Sequence, residues 1–228
     1  MEVAIFPPMP TKIWKIATIG DSLTEGNARG AVLSENPSLP NTYQHYLFHR
    51  LKSHGIQTEI WNWGIGGQVI SQICDRLDSV APADVVLCMG GTNDTWRFSE
   101  SVEGVEDEMS EDIIDWYQRS IPRLMNKHEE LGLPRPLLII NAIPPIGNVK
   151  SIPKNMQNCI LNVNRDLAKF VKELNNPNVK FFDIHTAMAG SDRYMRPGLT
   201  VLDGVHFTEL GNQTCGEAMA DNLVQYLK

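Results

Sequence analysis

The sequence predicts an α/β fold: a five-stranded parallel sheet with helices on both faces. Segments of strand character alternate with segments of helical periodicity along the chain, the pattern of β-α-β units. Two of the strands, Asp84–Met89 and Pro136–Ala142, read as continuous apolar runs, as strands covered on both faces do. No composition shift, low-complexity tract or repeat divides the chain, so residues 1–228 are expected to form one domain.

The elements follow in order. Ile13–Ile19 is a β-rich run closed by Gly20. Thr42–Ser53 has an apolar stripe of Tyr43, Tyr46, Leu47, Phe48 and Leu51, with Asn41 as candidate cap and Gly55 as stop. Thr58–Trp61 is a short strand before Asn62 and a glycine cluster. Val69–Val80 places Ile70, Ile73 and Leu77 on one helical face, and Asp84–Met89 is the next strand. Asp107–Glu130 repeats Ile113, Tyr117, Ile121 and Leu124 at helical spacing, with a kink or restart expected at Pro122. After Pro136–Ala142, a helix over Pro153–Leu174 repeats Met156, Ile160, Val163, Leu167 and Val171. Val179–Ile184 is the fifth strand, and Glu209–Leu227 the final helix with Thr208 as N-cap. Thr24–Pro40, Thr95–Glu106, Ile143–Ile152 and Thr186–Leu202 read as loops on the carboxyl side of the strands, where open α/β sheets bind ligands.

Composition narrows the classes. The chain has 228 residues, 42% hydrophobic and 21% charged, enough for a large core without disulfide or metal staples. Its formal charge of −7 argues against a nucleic-acid partner, which would need a basic surface. No apolar run approaches the ~18 residues of a membrane span, so no stable membrane insertion is expected. Met1–Pro10 carries Glu2 and three prolines and does not resemble a secretory signal. Cys74, Cys88, Cys159 and Cys215 are scattered and read as buried free thiols. A cytoplasmic location is therefore expected. Nothing in the sequence reads on oligomeric state.

Three groups of residues carry chemistry. Ser22 follows the first strand in Gly20-Asp21-Ser22-Leu23-Thr24-Glu25-Gly26. A serine hydroxyl there is a nucleophile only beside a base; alone, it reads first as a helix N-cap or turn residue. Thr24 replaces the second glycine of a G-x-S-x-G elbow, which disfavours the α/β-hydrolase fold. Asp203-Gly204-Val205-His206 lies near the C-terminus. One chain turn lets such a carboxylate reach the imidazole Nδ1–H, although a D-x-x-H turn alone could simply cap the next helix. Gly66-Gly67 follows the second strand and Gly91-Thr92-Asn93-Asp94 the third. A glycine N–H and an Asn amide suit an oxyanion, and both also suit ordinary turns. Together, nucleophile, donors and Asp/His pair fall at the carboxyl ends of different strands or in the last loop.

These four blocks resemble those of the SGNH/GDSL hydrolases. Gly20–Leu23 matches the first block in full, and Asn62-Trp63-Gly64-Ile65-Gly66-Gly67 matches N-x-G-x-x-G. Gly91–Asp94 matches G-x-N-D, and Asp203–His206 matches D-x-x-H. The resemblance implies a flavodoxin-like three-layer α/β/α sandwich, with no cofactor and no metal. It implies Ser22 as nucleophile, His206 as general base and Asp203 as its orienting group. The Ser22 N–H, the Gly67 N–H and the Asn93 side chain would form the oxyanion hole. Gly66 and Phe207 depart from the residues many members carry, a serine and a proline. The implied activity is hydrolysis of a small-molecule carboxylic ester, such as a short acyl ester, an acetylated sugar or a lysolipid. An acyltransferase on the same scaffold, or a non-catalytic flavodoxin-like ligand-binding module, are the alternatives.

Weaker features complete the reading. Val69 stands where a dinucleotide fingerprint needs its third glycine. His45 and His49 lie four apart on a helix, but read as a surface pair because no third zinc ligand is evident. The acidic stretch Glu100–Asp115 reads as a solvated face. Trp96, Arg97 and Arg29 lie on the active edge as candidate substrate contacts. Trp14, Trp61, Trp63 and Trp116 read as core.

Overall fold

The computed structural model describes residues 12–34, 39, 41–99, 106–153 and 155–228. The Met1–Pro10 stretch and residues 100–105 of the acidic run lie outside the described residues. The elements are β1 (Ile13–Gly20), α1 (Ser22–Glu25), β2 (Val32–Leu33), α2 (Tyr43–Ser53), β3 (Gln57–Gly64), α3 (Ile70–Cys74) and a 3₁₀ turn over Leu77–Val80. They continue with β4 (Val85–Met89), α4 (Thr92–Ser99), α5 (Glu106–Glu130), β5 (Leu137–Asn141), α6 (Met156–Leu174), β6 (Val179–Phe182), α7 (Ile184–Met188) and α8 (Glu209–Leu227).

The sheet runs β2-β3-β1-β4-β5-β6. Five strands are parallel, as expected, but the sheet has six rather than five. The extra strand, β2, pairs antiparallel with β3 through Val32–Trp61 and Leu33–Ile60. Two residues are too few for period-2 alternation to register, which is why the whole of Thr24–Pro40 read as loop.

Alternate strand residues feed opposite cores. Val86 and Cys88 of β4 join Ile73, Ile113, Tyr117 and Ile160 under α3, α5 and α6. Val85, Leu87 and Met89 join Tyr43, Leu47, Met219 and Leu223 under α2 and α8. That two-sided burial explains the unbroken apolar runs and makes the middle layer of a three-layer sandwich. All four cysteines are free and buried.

Other elements differ in detail from expectation. The Val69–Val80 helix divides at Asp75–Arg76 into α3 and the 3₁₀ turn. The expected loop after Thr95 begins as helix α4, whose Thr95 hydroxyl bonds the Gly91 and Thr92 carbonyls. Helix α5 continues through Pro122 without a restart. Proline removes the bond to the Gln118 carbonyl, but both residues are exposed and water can replace it. Thr42, not Asn41, stands at the N-cap of α2. Trp63 is exposed rather than in the core.

Candidate active site

The register places Gly20 beside Gly64 on β3 and Met89 on β4, so three strand ends converge. A Cβ on Gly20 would be driven into the Met89 carbonyl and the Thr24 hydroxyl. Glycine there lets the chain turn directly from β1 into α1. Asp21 caps that helix by accepting the Leu23 N–H at 3.0 Å, and Ser22 is its first residue. Asp21 is buried, and burial pushes its carboxyl up to about 7. Its Oδ2 has no hydrogen-bond partner among the described residues.

Ser22 meets the far end of the chain. Its Oγ lies 3.0 Å from His206 Nε2, and His206 Nδ1 lies 2.7 Å from Asp203 Oδ2. Asp203 Oδ1 accepts the Val205 N–H at 2.8 Å and the His206 N–H at 3.0 Å. Burial alone would raise the Asp203 carboxyl, but these two N–H groups and the His206 ring hold it below its ordinary value. An ionised Asp203 keeps the proton on Nδ1 and leaves Nε2 to accept from the serine. A serine in this arrangement can pass its proton to the imidazole as the oxygen attacks. Thr208 then caps α8 by accepting the Gly211 N–H at 3.1 Å, as expected, and donates to the Gly198 carbonyl at 2.7 Å.

The donor side lies between β3 and α4. Asn62 accepts the Gly64 N–H and donates to the Glu25 carbonyl, tying β3 to the end of α1. The Gly66 N–H donates to Glu25 Oε2 at 2.9 Å. A serine-like Cβ at position 66 would approach that oxygen to 2.7 Å, so the glycine departure at 66 goes with Glu25. Gly67 sits in the left-handed region at φ +76° and makes no such bond through its N–H among the described residues. The Asn93 amide donates one hydrogen to the Gln68 carbonyl at 2.9 Å, and its second has no bond among the described residues. Asp94 accepts the Ile70 N–H, and burial pushes its carboxyl up to about 6.

A cleft of about 550 Å³ opens beside Ser22 on the His206 side. Its walls include Glu25, Asn27, Asn41, Phe207, Glu209 and Asn212. Trp96, Arg97 and Arg29 are not among its described walls. Trp96 is half-buried against the α5 and α6 core, and Arg97 is exposed with a bond to the Gly67 carbonyl at 3.3 Å. Arg29 is exposed on the loop after α1. The sequence reading missed Glu25, Gln68 and Arg76, which bond the donor loop. The only signal for Arg76 was a lone cation in an apolar helical segment. The His45 and His49 rings contact each other at 4.4 Å, and the described residues hold no cluster of three metal-ligating side chains. No described helix is long and apolar enough to cross a membrane.

Solved structures share this fold over nearly their full length. A carbohydrate acetylesterase from Sinorhizobium meliloti is 18% identical, with a TM-score of 0.68, 93% of this chain covered and 99% of the other. An aryl esterase from M. smegmatis is 20% identical, with a TM-score of 0.65 and coverage of 94% and 100%. An acetylxylan esterase from Geobacillus stearothermophilus is 19% identical, with a TM-score of 0.67 and coverage of 93% and 95%. No curated protein matches the chain in sequence. The model of the GDSL-like lipase/acylhydrolase family matches residues 16–219, a span that holds all four blocks and both partners of Ser22, and the chain belongs to that family.

Proposed function

We propose that the protein is a serine esterase that hydrolyses short acyl or acetyl esters through an acyl-enzyme on Ser22. The observation that carries this reading is the unbroken relay from Asp203 through His206 to the Ser22 hydroxyl, at 2.7 and 3.0 Å. Ser22 Oγ attacks the ester carbonyl while His206 Nε2 takes its proton. The Ser22 N–H, Gly67 N–H and Asn93 amide receive the oxyanion, each strong donor contributing roughly 3–4 kcal/mol. His206 returns the proton to the departing alkoxide, then activates water to release the acid. Asp203 stays ionised and steadies the imidazolium.

Because His206 protonates the leaving oxygen, the alcohol part of the ester lies on the His206 side. The cleft there presents the Glu25 and Glu209 carboxylates and the amides of Asn27, Asn41 and Asn212. That lining suits a hydroxyl-rich, uncharged alcohol. Two of the similar structures are named as esterases of acetylated carbohydrate or xylan, which agrees with this choice.

The test is turnover of p-nitrophenyl acetate and of an acetylated-sugar panel. We expect Ser22→Ala and His206→Ala each to lower kcat by about 10⁴-fold or more, and the double variant to fall little further, since the two act as a unit. Wild-type-like turnover by Ser22→Ala would sink the assignment.

A further inference from the structure

One side chain ties together both ends of the loop that carries Gly67. Arg76 lies at the break between α3 and the 3₁₀ turn. Its Nη1 donates to the Trp63 carbonyl at 3.1 Å. Its Nε and Nη2 both donate to Gln68 Oε1, at 3.1 and 2.7 Å. A single planar guanidinium therefore joins both ends of the Trp63–Gln68 segment. Gln68 is where the ties meet, because its backbone carbonyl also accepts the Asn93 amide.

This tie acts on a hinge. Gly66 and Gly67 are exposed and adjacent, and Gly67 has positive φ. A glycine pair can rotate its shared peptide plane at little steric cost, which would turn the Gly67 N–H away from the site. Holding Gln68 on one side opposes that rotation. Gln68 also accepts the Asn93 amide, so one residue joins both side-loop donors, beside the Glu25 and Arg97 bonds to Gly66 and Gly67.

The charge of Arg76 is also unusual. All its bonds are to neutral oxygens, and no carboxylate lies within 4.0 Å of it among the described residues. It is half-buried, and desolvation lowers its affinity for the proton. A guanidinium nonetheless stays charged at any ordinary pH.

We propose that Arg76 is a positioning residue for the oxyanion hole: acting through Gln68, it orients the Gly67 N–H and the Asn93 amide toward the oxyanion. This rests on the Ser22 esterase reading. Such a tie matters more in the transition state than in the bound ester, so its loss lowers kcat rather than raising KM.

The experiment compares Arg76→Met, Arg76→Lys, Gln68→Ala and Arg76→Met/Gln68→Ala on p-nitrophenyl acetate, with melting temperature and pH profile recorded for each. We expect kcat to fall about 10- to 100-fold in Arg76→Met and in Gln68→Ala, with KM within about threefold of wild type. Arg76→Lys recovers only part of the loss, since one ammonium cannot reproduce the fork. The double variant falls no further than the worse single, as expected for two parts of one contact. The pH profile keeps its wild-type shape in every variant. Unchanged kcat, a loss confined to KM, or losses that multiply in the double variant would each overturn the proposal. If the Arg76 variants do not fold, Gln68→Ala alone decides, because it leaves the cation in place. An inactive wild type, or activity that survives Ser22→Ala, overturns the esterase reading itself, and this inference with it.

Discussion

Asp21 sits next to Ser22, and its own titration bears on stability. Its carboxyl is pushed up to about 7 by burial, against an ordinary value of 3.8, and Asp94 is pushed the same way to about 6. Between those limits the folded chain holds a proton that the unfolded chain releases. The stability Asp21 confers is therefore full below about 3.8 and lost as pH rises toward about 7. Asn at this position can still cap α1 and does not titrate. We expect urea unfolding of Asp21→Asn to show a smaller loss of stability between about pH 5 and pH 8 than wild type. Parallel curves for the two proteins would contradict the assignment. At this scale the sequence was informative where spacing implies contact. The D-x-x-H turn brings Asp203 to His206, and the structure gives that bond a length of 2.7 Å. Nothing periodic announces a guanidinium reaching eight residues back to an amide, so Arg76 and Gln68 were invisible. Nor does the Gly-Asp-Ser-Leu block reveal that its aspartate is buried with one oxygen unpartnered.

Helices α2 and α8 show how elements hold the site. They pack closely because Gly216 of α8 lies against the backbone of α2, where a Cβ would be driven into the Tyr43 carbonyl and the Leu47 N–H. Neither neighbour can move aside, since both are backbone. Gly216→Ala gains about 1 kcal/mol of helix propensity. It loses about 1–3 kcal/mol to overpacking, and a backbone clash falls at the upper end. We expect net destabilisation of about 1–2 kcal/mol in urea unfolding. A more stable variant would show that the helices can separate freely. Thr208→Ala tests the start of the same helix: losing the bond to the Gly211 N–H should cost about 1 kcal/mol. Long elements were legible because many apolar positions repeat. Helix α6 shows this, with Ile160, Val163, Leu167 and Val171 all buried. Short ones were not, since β2 has two residues and α7 five, too few for an apolar repeat to recur.

For the whole molecule, the strand order decides where the groups meet. Strand β1 lies between β3 and β4, so Ser22 emerges with candidate donors on both flanks. Alternating strands and helices made this sheet legible, while the identity of the edge strand was not. The net charge of −7 reinforces the Glu25 and Glu209 carboxylates of the cleft. An anionic ester is therefore repelled on approach, and salt screens that repulsion over about 10 Å at 0.1 M. We expect kcat/KM for a succinyl-type ester to rise with ionic strength, and that for a neutral acetate to stay flat. A falling profile for the anionic ester would place an attractive basic field at the site instead. The separation of 184 positions between Ser22 and His206 has a consequence for biosynthesis. On the proposed esterase reading, a ribosome adds all six described strands, Ser22 and both donors before it adds the base. The nascent chain can thus build its sheet without a working nucleophile. On that reading, activity begins only after the Asp203–His206 turn emerges and α8 docks beside α2, so hydrolysis would wait on the completion of folding.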